Sequence, residues 1–191
     1  MKKWLSYYHP STVIFVDDQQ AFLTAIKNRL PRQLLTLFFN NPEEALGKIA
    51  GGSLSQYQKI SPIYNIEEDM EADHANNNEA LFNLKLGELS KNIYNPNRFS
   101  EMSVVVVDRM MPELDGITFC RRLIKHPIKK IMLTASKDQK VAIDAFNEGI
   151  IDFFILKDSP NLIVELTAAI EKMQWEYFLS LTKRTLGTDL E

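Results

Sequence analysis

Four consecutive valines, Val104–Val107, run straight into Asp108, and the chain then continues Arg-Met-Met-Pro-Glu-Leu-Asp-Gly to Gly116. Successive side chains of a strand point to opposite faces, so a strand with one wet face alternates apolar and polar residues. Four valines in a row leave no face for water. Such a strand belongs inside a parallel sheet covered by helices on both sides. The short run TVIFV, Thr12–Val16, reads the same way and ends in Asp17-Asp18.

The rest of the chain alternates strand and helix signals. Phe22, Ile26 and Leu30 keep helical spacing and stop at Pro31. Leu34–Phe39 reads as a second strand, and Asn41-Pro42-Glu43-Glu44 opens a helix with a cap, a first-turn proline and acids beside the helix dipole. After the valine strand, a helix is expected from Asp115 to about Lys125, then the strand Lys130–Thr134. A helix from Asp138 to Glu148 follows, capped by Gly149, and then the strand Asp152–Leu156. Five strand–helix alternations predict a parallel sheet with helices on both faces. The core covers about 12–49 and 103–175. Residues 51–102 form an insertion: an acidic run, Glu67–Asp73, precedes an amphipathic helix expected over Glu79 to about Asn92, with Phe82, Leu86, Leu89 and Ile93 on one face. The run lacks the spacing and glycine of a calcium loop and reads as a solvated face.

After Pro160 a last helix carries the apolar seam Leu162, Leu166, Ile170, Met173, Tyr177 and Leu181. Its length allows a long core helix, or a connector or dimer helix, with 175–191 as an extension towards an output domain outside this chain. Composition narrows the setting. The net charge of −3 argues against nucleic acid as a direct partner, and a single cysteine, Cys120, excludes an internal disulfide and suits a reducing cytoplasm. Cys120 reads as a small packed residue. No signal peptide is recognisable, and no apolar stretch reaches the roughly 20 residues of a membrane span. His9, His74 and His126 share no ligand spacing.

In an open parallel sheet, ligands bind beyond the carboxyl ends of the strands. Asp17 and Asp18 end the first strand, Asp108 the third and Thr134 the fourth, while Lys157 follows the fifth. Carboxylates gathered in one crevice repel each other, and a hard divalent cation relieves this; Mg²⁺ needs only a few oxygen ligands. Asp108, ionised at neutral pH, can then attack phosphorus without a base, while Lys157 and Thr134 meet the oxygens of the transferring group. The expectation is an aspartyl-phosphate site.

Asp17-Asp18, Asp108-x-x-Met111-Pro112 with Gly116, Thr134-Ala135 and Lys157 together resemble the receiver domain of bacterial two-component response regulators. The whole chain, insertion included, is similar to the receiver part of a quorum-sensing response regulator. The resemblance implies a flavodoxin-like (βα)5 fold and a cytoplasmic phosphorylation switch. Asp108 would accept a phosphoryl group from a histidine kinase or phosphotransfer protein. Asp17, Asp18, Asp108 and the backbone carbonyl of Met110 would bind Mg²⁺, and Lys157 would pair with the phosphoryl group. Thr134 would move towards it, and Phe154, at the switch position, would turn inward. The face of the fourth helix, fifth strand and fifth helix would change partners, with homodimerisation one outcome.

The chain departs from the family pattern in three places. Asp158 stands where receivers usually have proline, so a trans Lys157–Asp158 peptide is expected, with Asp158 a rival partner for Lys157. Met110 cannot position a hydrolytic water, which predicts slow autodephosphorylation. The third departure is the insertion. Two other functions compete. A phosphohydrolase with an aspartyl-phosphate intermediate would need a second acid where Met110 stands, so the chain is expected not to be an enzyme beyond its own phosphoryl transfer. A non-phosphorylated pseudo-receiver would act as an interaction scaffold through the insertion and last helix.

Overall fold

The computed structural model describes residues 8–52 and 96–186. The insertion helix expected over 79–92, the acidic run 67–73 and His74 lie outside the described residues. Five strands appear: β1 Thr12–Val16, β2 Thr36–Phe39, β3 Met102–Asp108, β4 Lys129–Thr134 and β5 Phe153–Leu156. Five helices accompany them: α1 Gln20–Arg29, α2 Pro42–Ala50, α3 Gly116–Arg122, α4 Gln139–Asn147 and α5 Leu162–Leu186. Short 3₁₀ turns occupy Pro96–Ser100 and Ser136–Asp138. The sheet order is β2-β1-β3-β4-β5, every neighbouring pair parallel, which is the flavodoxin-like receiver fold.

The valine run is buried as its composition requires. Val105 and Val107 pack into the core layer that holds Ala45 and Ile49 of α2 and Phe119 and Cys120 of α3. Val104 and Val106 face the opposite layer, with Leu23 and Ile26 of α1 and Leu166, Ala169 and Ile170 of α5. All four are at most 1% exposed. Because β3 is central, its end is fixed from both faces and both edges. Cys120 is fully buried, and that environment pushes its thiol up to about 12. Neither Phe153 nor Phe154 is fully buried, because β5 is an edge strand; Phe154 packs on one core layer and Phe153 on the other.

Helix ends follow local chemistry. The Asn41 side chain accepts the Glu44 N–H at 3.0 Å with Pro42 at the first turn. Gly149 follows α4 with φ 70°, a conformation open to glycine. Two expected bounds shift. α3 stops at Arg122 instead of Lys125, because Leu123, Ile124 and His126 turn in tight steps onto Cys120, Arg121 and Leu123 ahead of Pro127. β2 begins at Thr36, because the Leu34 N–H closes a turn onto the Pro31 carbonyl.

The apolar seam of α5 is continuous through Trp175, as its periodicity implies, but it is covered by the chain itself. Tyr177 and Phe178 are fully buried. Tyr8 and His9 pack edge-on against the Phe178 ring, and the Tyr177 hydroxyl bonds the Glu101 carboxyl just ahead of β3. Gln174 donates to the Ser11 hydroxyl at 3.0 Å, and Ser11 bonds Ser103 at 2.7 Å. This seam therefore offers no free dimer surface between Met173 and Leu181. Exposed apolar side chains sit instead on α4, at Val141, Ile143 and Phe146, and at Val164 of α5. Among the described residues no helix is long and apolar enough to cross a membrane.

An ion cluster closes the amino-terminal ends of β4 and β5. Lys130, 8% exposed at its side chain, lies 3.2 Å from Asp152, which also accepts from Lys129 at 3.1 Å and from the Lys130 N–H at 2.8 Å. Burial works to raise the Asp152 carboxyl, but the charge of Lys130, its N–H and Lys129 overcome this and hold the group below its ordinary range. A carboxylate depressed in the folded state contributes stability above its unfolded pKa that is lost as pH falls through the folded value. Asp152→Asn leaves the buried Lys130 ammonium without its counter-charge, with the Ile128 carbonyl at 3.3 Å as a remaining acceptor, so it is expected to cost about 2 kcal/mol at pH 7. Urea unfolding of both proteins should show that gap shrinking below about pH 4.

Candidate functional site

The site forms where β1, β3, β4 and β5 end side by side. The Lys157 N–H donates to the Thr134 carbonyl at 2.8 Å and the Arg109 N–H to the Leu133 carbonyl at 2.9 Å, so the strand registers carry on into the loops. Asp17 and Asp108 are almost fully buried, at 1% and 4% exposure, while Asp18 beside them is more open. Carboxylate oxygens of Asp17, Asp18 and Asp108 lie within 4.8 Å of one another. The Lys157 ammonium sits between two of them, 2.6 Å from Asp17 Oδ2 and 2.9 Å from Asp108 Oδ1. Asp17 uses its other oxygen to accept the Gln19 N–H at 2.9 Å, which fixes the turn into α1.

The phosphoacceptor candidate is electrostatically poised. Burial pushes the Asp108 carboxyl up, Lys157 pulls it down through a hydrogen bond and its charge, the Asp17 charge raises it and the Met110 N–H lowers it; the net direction is up. A buried carboxylate beside a like charge has an unmet demand for cations. Lys157 meets part of that demand as a monovalent occupant. The donor set is all oxygen, clustered and anionic, which fits Mg²⁺. Asp17, Asp18 and Asp108 would hold it, and the Met110 backbone lies beside them, donating its N–H to the Asp108 carboxylate.

The turn after Asp108 folds back on itself. The Gly116 N–H donates to the Arg109 carbonyl at 2.9 Å, and a Cβ at Gly116 would lie 2.3 Å from the Asp108 carbonyl oxygen and 3.0 Å from Arg109 Cα. Asp115 caps α3, accepting the Ile117 and Thr118 N–H groups at 3.0 and 3.2 Å. The Met-Pro…Asp-Gly pattern thus steers the chain off the sheet while leaving the carboxylate at the rim.

Other expected residues fall into two groups. Thr134 is fully buried at the end of β4, and its hydroxyl bonds the Ala135 carbonyl at 3.4 Å. Phe154 is half-buried on β5, and Met110 is 57% exposed beside the pocket. The Lys157–Asp158 peptide is trans, as the missing proline implies. Asp158, however, is no rival for Lys157. It accepts the Ser136 hydroxyl at 2.5 Å, and that bond holds its carboxyl low. Ser136 lies in the loop after β4, nearer to Asp158 than the inward-pointing ammonium.

Sequence reasoning missed two neighbours of the site. Arg109, directly after Asp108, forms an ion pair at 2.9 Å with Asp138 in the loop after β4. The Phe22 ring in the first turn of α1 lies under the Lys157 ammonium, 4.4 Å from centroid to Nζ. Its helical spacing marked it only as core.

Sheet order, crevice and ion set together define a receiver domain. A sequence profile described as the response regulator receiver domain matches residues 74–171, just over half the chain, and the chain belongs to that family. The profile leaves out β1 and β2, which the structure joins to the same sheet across residues 51–102. No curated protein sequence matches the chain. Among solved structures, it is similar to the Legionella pneumophila response regulator LqsR at 36% identity and TM-score 0.71, covering 96% of this chain and 52% of that one. The chain thus spans about half the length of that relative. It also resembles an adenylate cyclase structure from Rhodopirellula baltica (21% identity, TM-score 0.61, 95% and 99% covered). A receiver domain protein from Clostridium thermocellum is similar too (19%, TM-score 0.57, 88% and 98% covered). These two likenesses show the fold alone.

Proposed function

We propose that the chain is a phosphorylation-dependent signalling receiver that accepts a phosphoryl group on Asp108 from a histidine kinase or phosphotransfer protein. The convergence of three carboxylates and one ammonium in a crevice at the strand ends carries this reading. The Asp108 carboxylate forms the new O–P bond as the P–N bond to the donor histidine breaks. Lys157 is already at the pocket to meet the oxygens of the arriving group. Bound Mg²⁺ would neutralise the charge that develops on those oxygens. Thr134 then leaves the Ala135 carbonyl for the phosphoryl group, and Phe154 follows inward.

The response would be read on the α4–β5–α5 face, where Val141, Ile143, Phe146 and Val164 are exposed, either by a partner or by a second copy. The protein would be cytoplasmic and would catalyse only its own phosphoryl transfer and a slow autodephosphorylation, because Met110 offers no group to orient water. The likeness of the whole chain to the receiver part of a quorum-sensing regulator extends our reading to cell-density signalling.

The decisive experiment incubates the protein and Asp108→Asn with Mg²⁺ and a small phosphodonor or beryllofluoride. A Mg²⁺-dependent adduct mapped to Asp108, absent from the variant and decaying over minutes or longer, is expected. An intact protein that forms no adduct would be a scaffold instead.

A further inference from the structure

We infer that Phe22 is a positioning residue for Lys157: its ring is the seat that keeps the ammonium at the phosphoryl pocket when the metal has taken the carboxylates. The inference rests on the phosphoacceptor reading above and adds a residue to it.

Among the described residues, three groups hold the ammonium. Asp17 Oδ2 is at 2.6 Å, Asp108 Oδ1 at 2.9 Å and the Phe22 ring centroid at 4.4 Å. The ring distance lies well inside the range over which an aromatic face attracts a cation, and the Lys157 side chain is only 19% exposed, so water screens the contact weakly. The three holds differ in what a divalent cation does to them. Asp17 and Asp108 are both in the carboxylate cluster, so they would hold a divalent cation there, which would offset their charge and weaken their hold on the ammonium. The ring carries no net charge and offers no metal ligand, so its attraction survives.

Without that seat, the flexible four-carbon stem of lysine would carry the ammonium into solvent once the metal arrived. The phosphoryl oxygens would then have to recover it at the cost of side-chain freedom. Asp158 does not compensate, since its carboxyl is engaged by Ser136. Phe22 is itself held in place: it is half-buried, on the first turn of α1, and its body packs on the core layer of Leu23 and Ile26. Core packing alone would account for an apolar residue here, but not for a ring face presented to the ammonium.

The test compares the full chain with Phe22→Leu, which keeps apolar bulk without an aromatic face, and Phe22→Tyr, which keeps the face. Three quantities are read: the proton shift of the Lys157 ε-methylene in metal-free protein, Mg²⁺ affinity, and beryllofluoride affinity at saturating Mg²⁺. In wild type and Phe22→Tyr the ε-methylene should be shifted upfield by the ring. In Phe22→Leu that shift should vanish and beryllofluoride binding should weaken about 2- to 5-fold, the worth of a partly exposed cation–π contact. Mg²⁺ binding should hold or tighten by up to about 2-fold, because the competing cation is freed.

Unchanged beryllofluoride affinity in Phe22→Leu overturns the inference. So does a parallel loss of both affinities, which signals a packing defect, or a Phe22→Tyr protein that behaves like Phe22→Leu. A wild type that shows the upfield shift yet forms no beryllofluoride adduct fails differently: it overturns the phosphoacceptor reading itself.

Discussion

Lys157→Ala is expected to slow phosphorylation of Asp108 by a small donor about 100-fold, the usual scale for removing one preorganised cation or donor from a developing oxyanion. The same substitution is expected to tighten Mg²⁺ binding about tenfold, which corresponds to about 1.4 kcal/mol. The two effects have opposite signs because the lysine does two things. Its ammonium lies between Asp17 and Asp108 and would compete for the oxygens a metal would take. During transfer it meets charge that the carboxylates cannot. Removing it leaves two buried like charges facing each other, so the metal gains a stronger attractor while the phosphoryl group loses a partner. Calorimetric Mg²⁺ titration and donor kinetics on the same preparation check the pair of results. An unchanged phosphorylation rate, or weaker Mg²⁺ binding, would contradict this account of the lysine.

Gly116→Ala is expected to destabilise the protein by about 3 kcal/mol, the upper end for an overpacked site, and to abolish adduct formation. A methyl group there would sit 2.3 Å from the Asp108 carbonyl oxygen, and the obstacle is backbone, which cannot rotate away as a side chain could. Either the Asp115-Gly116 turn moves out, losing the Gly116 N–H bond to Arg109, or the end of β3 moves and takes the carboxylate with it. Both outcomes displace Asp108 from Asp17 and Lys157. Gly47→Ala supplies the internal control: that position has open space around a Cβ and lies within α2, so replacing glycine should gain about 0.5–1 kcal/mol. Thermal melts of both variants separate a local collision from a general intolerance of substitution. Near-native stability and phosphorylation in Gly116→Ala would show that the turn is looser than its contacts indicate.

Part of this architecture could be read from the chain and part could not. The buried sheet was legible because Val104–Val107 and Thr12–Val16 carry their environment in their composition. The site was legible because its residues terminate those strands, and a parallel sheet aligns its strand ends. What escaped depends on pairs far apart in sequence. Lys157 meets Phe22 from a distant part of the sequence, and the rim alone gave no reason to choose an aromatic from α1. Asp158 looked like a rival for Lys157 because it is adjacent in sequence, yet it points to Ser136 in the neighbouring loop. The seam of α5 allowed either a long core helix or a connector or dimer helix; around Tyr177 and Phe178 it is covered by Tyr8, His9 and Glu101, which nothing in the local periodicity announces.

The pairing of β1 with β3 also bears on how the chain reaches this state. Val13 lies against Val104, so β1 stays without its inner neighbour until the chain has passed residue 100. β3, β4 and β5, by contrast, follow one another with short connections and share α5, so their contacts close the smaller loops. Folding should nucleate there, with the β1–β2 half docking afterwards onto a finished edge. Asp17 ends β1 and Asp108 ends β3, so on this order the Asp17–Asp108 pocket assembles at the last step, when the two halves dock.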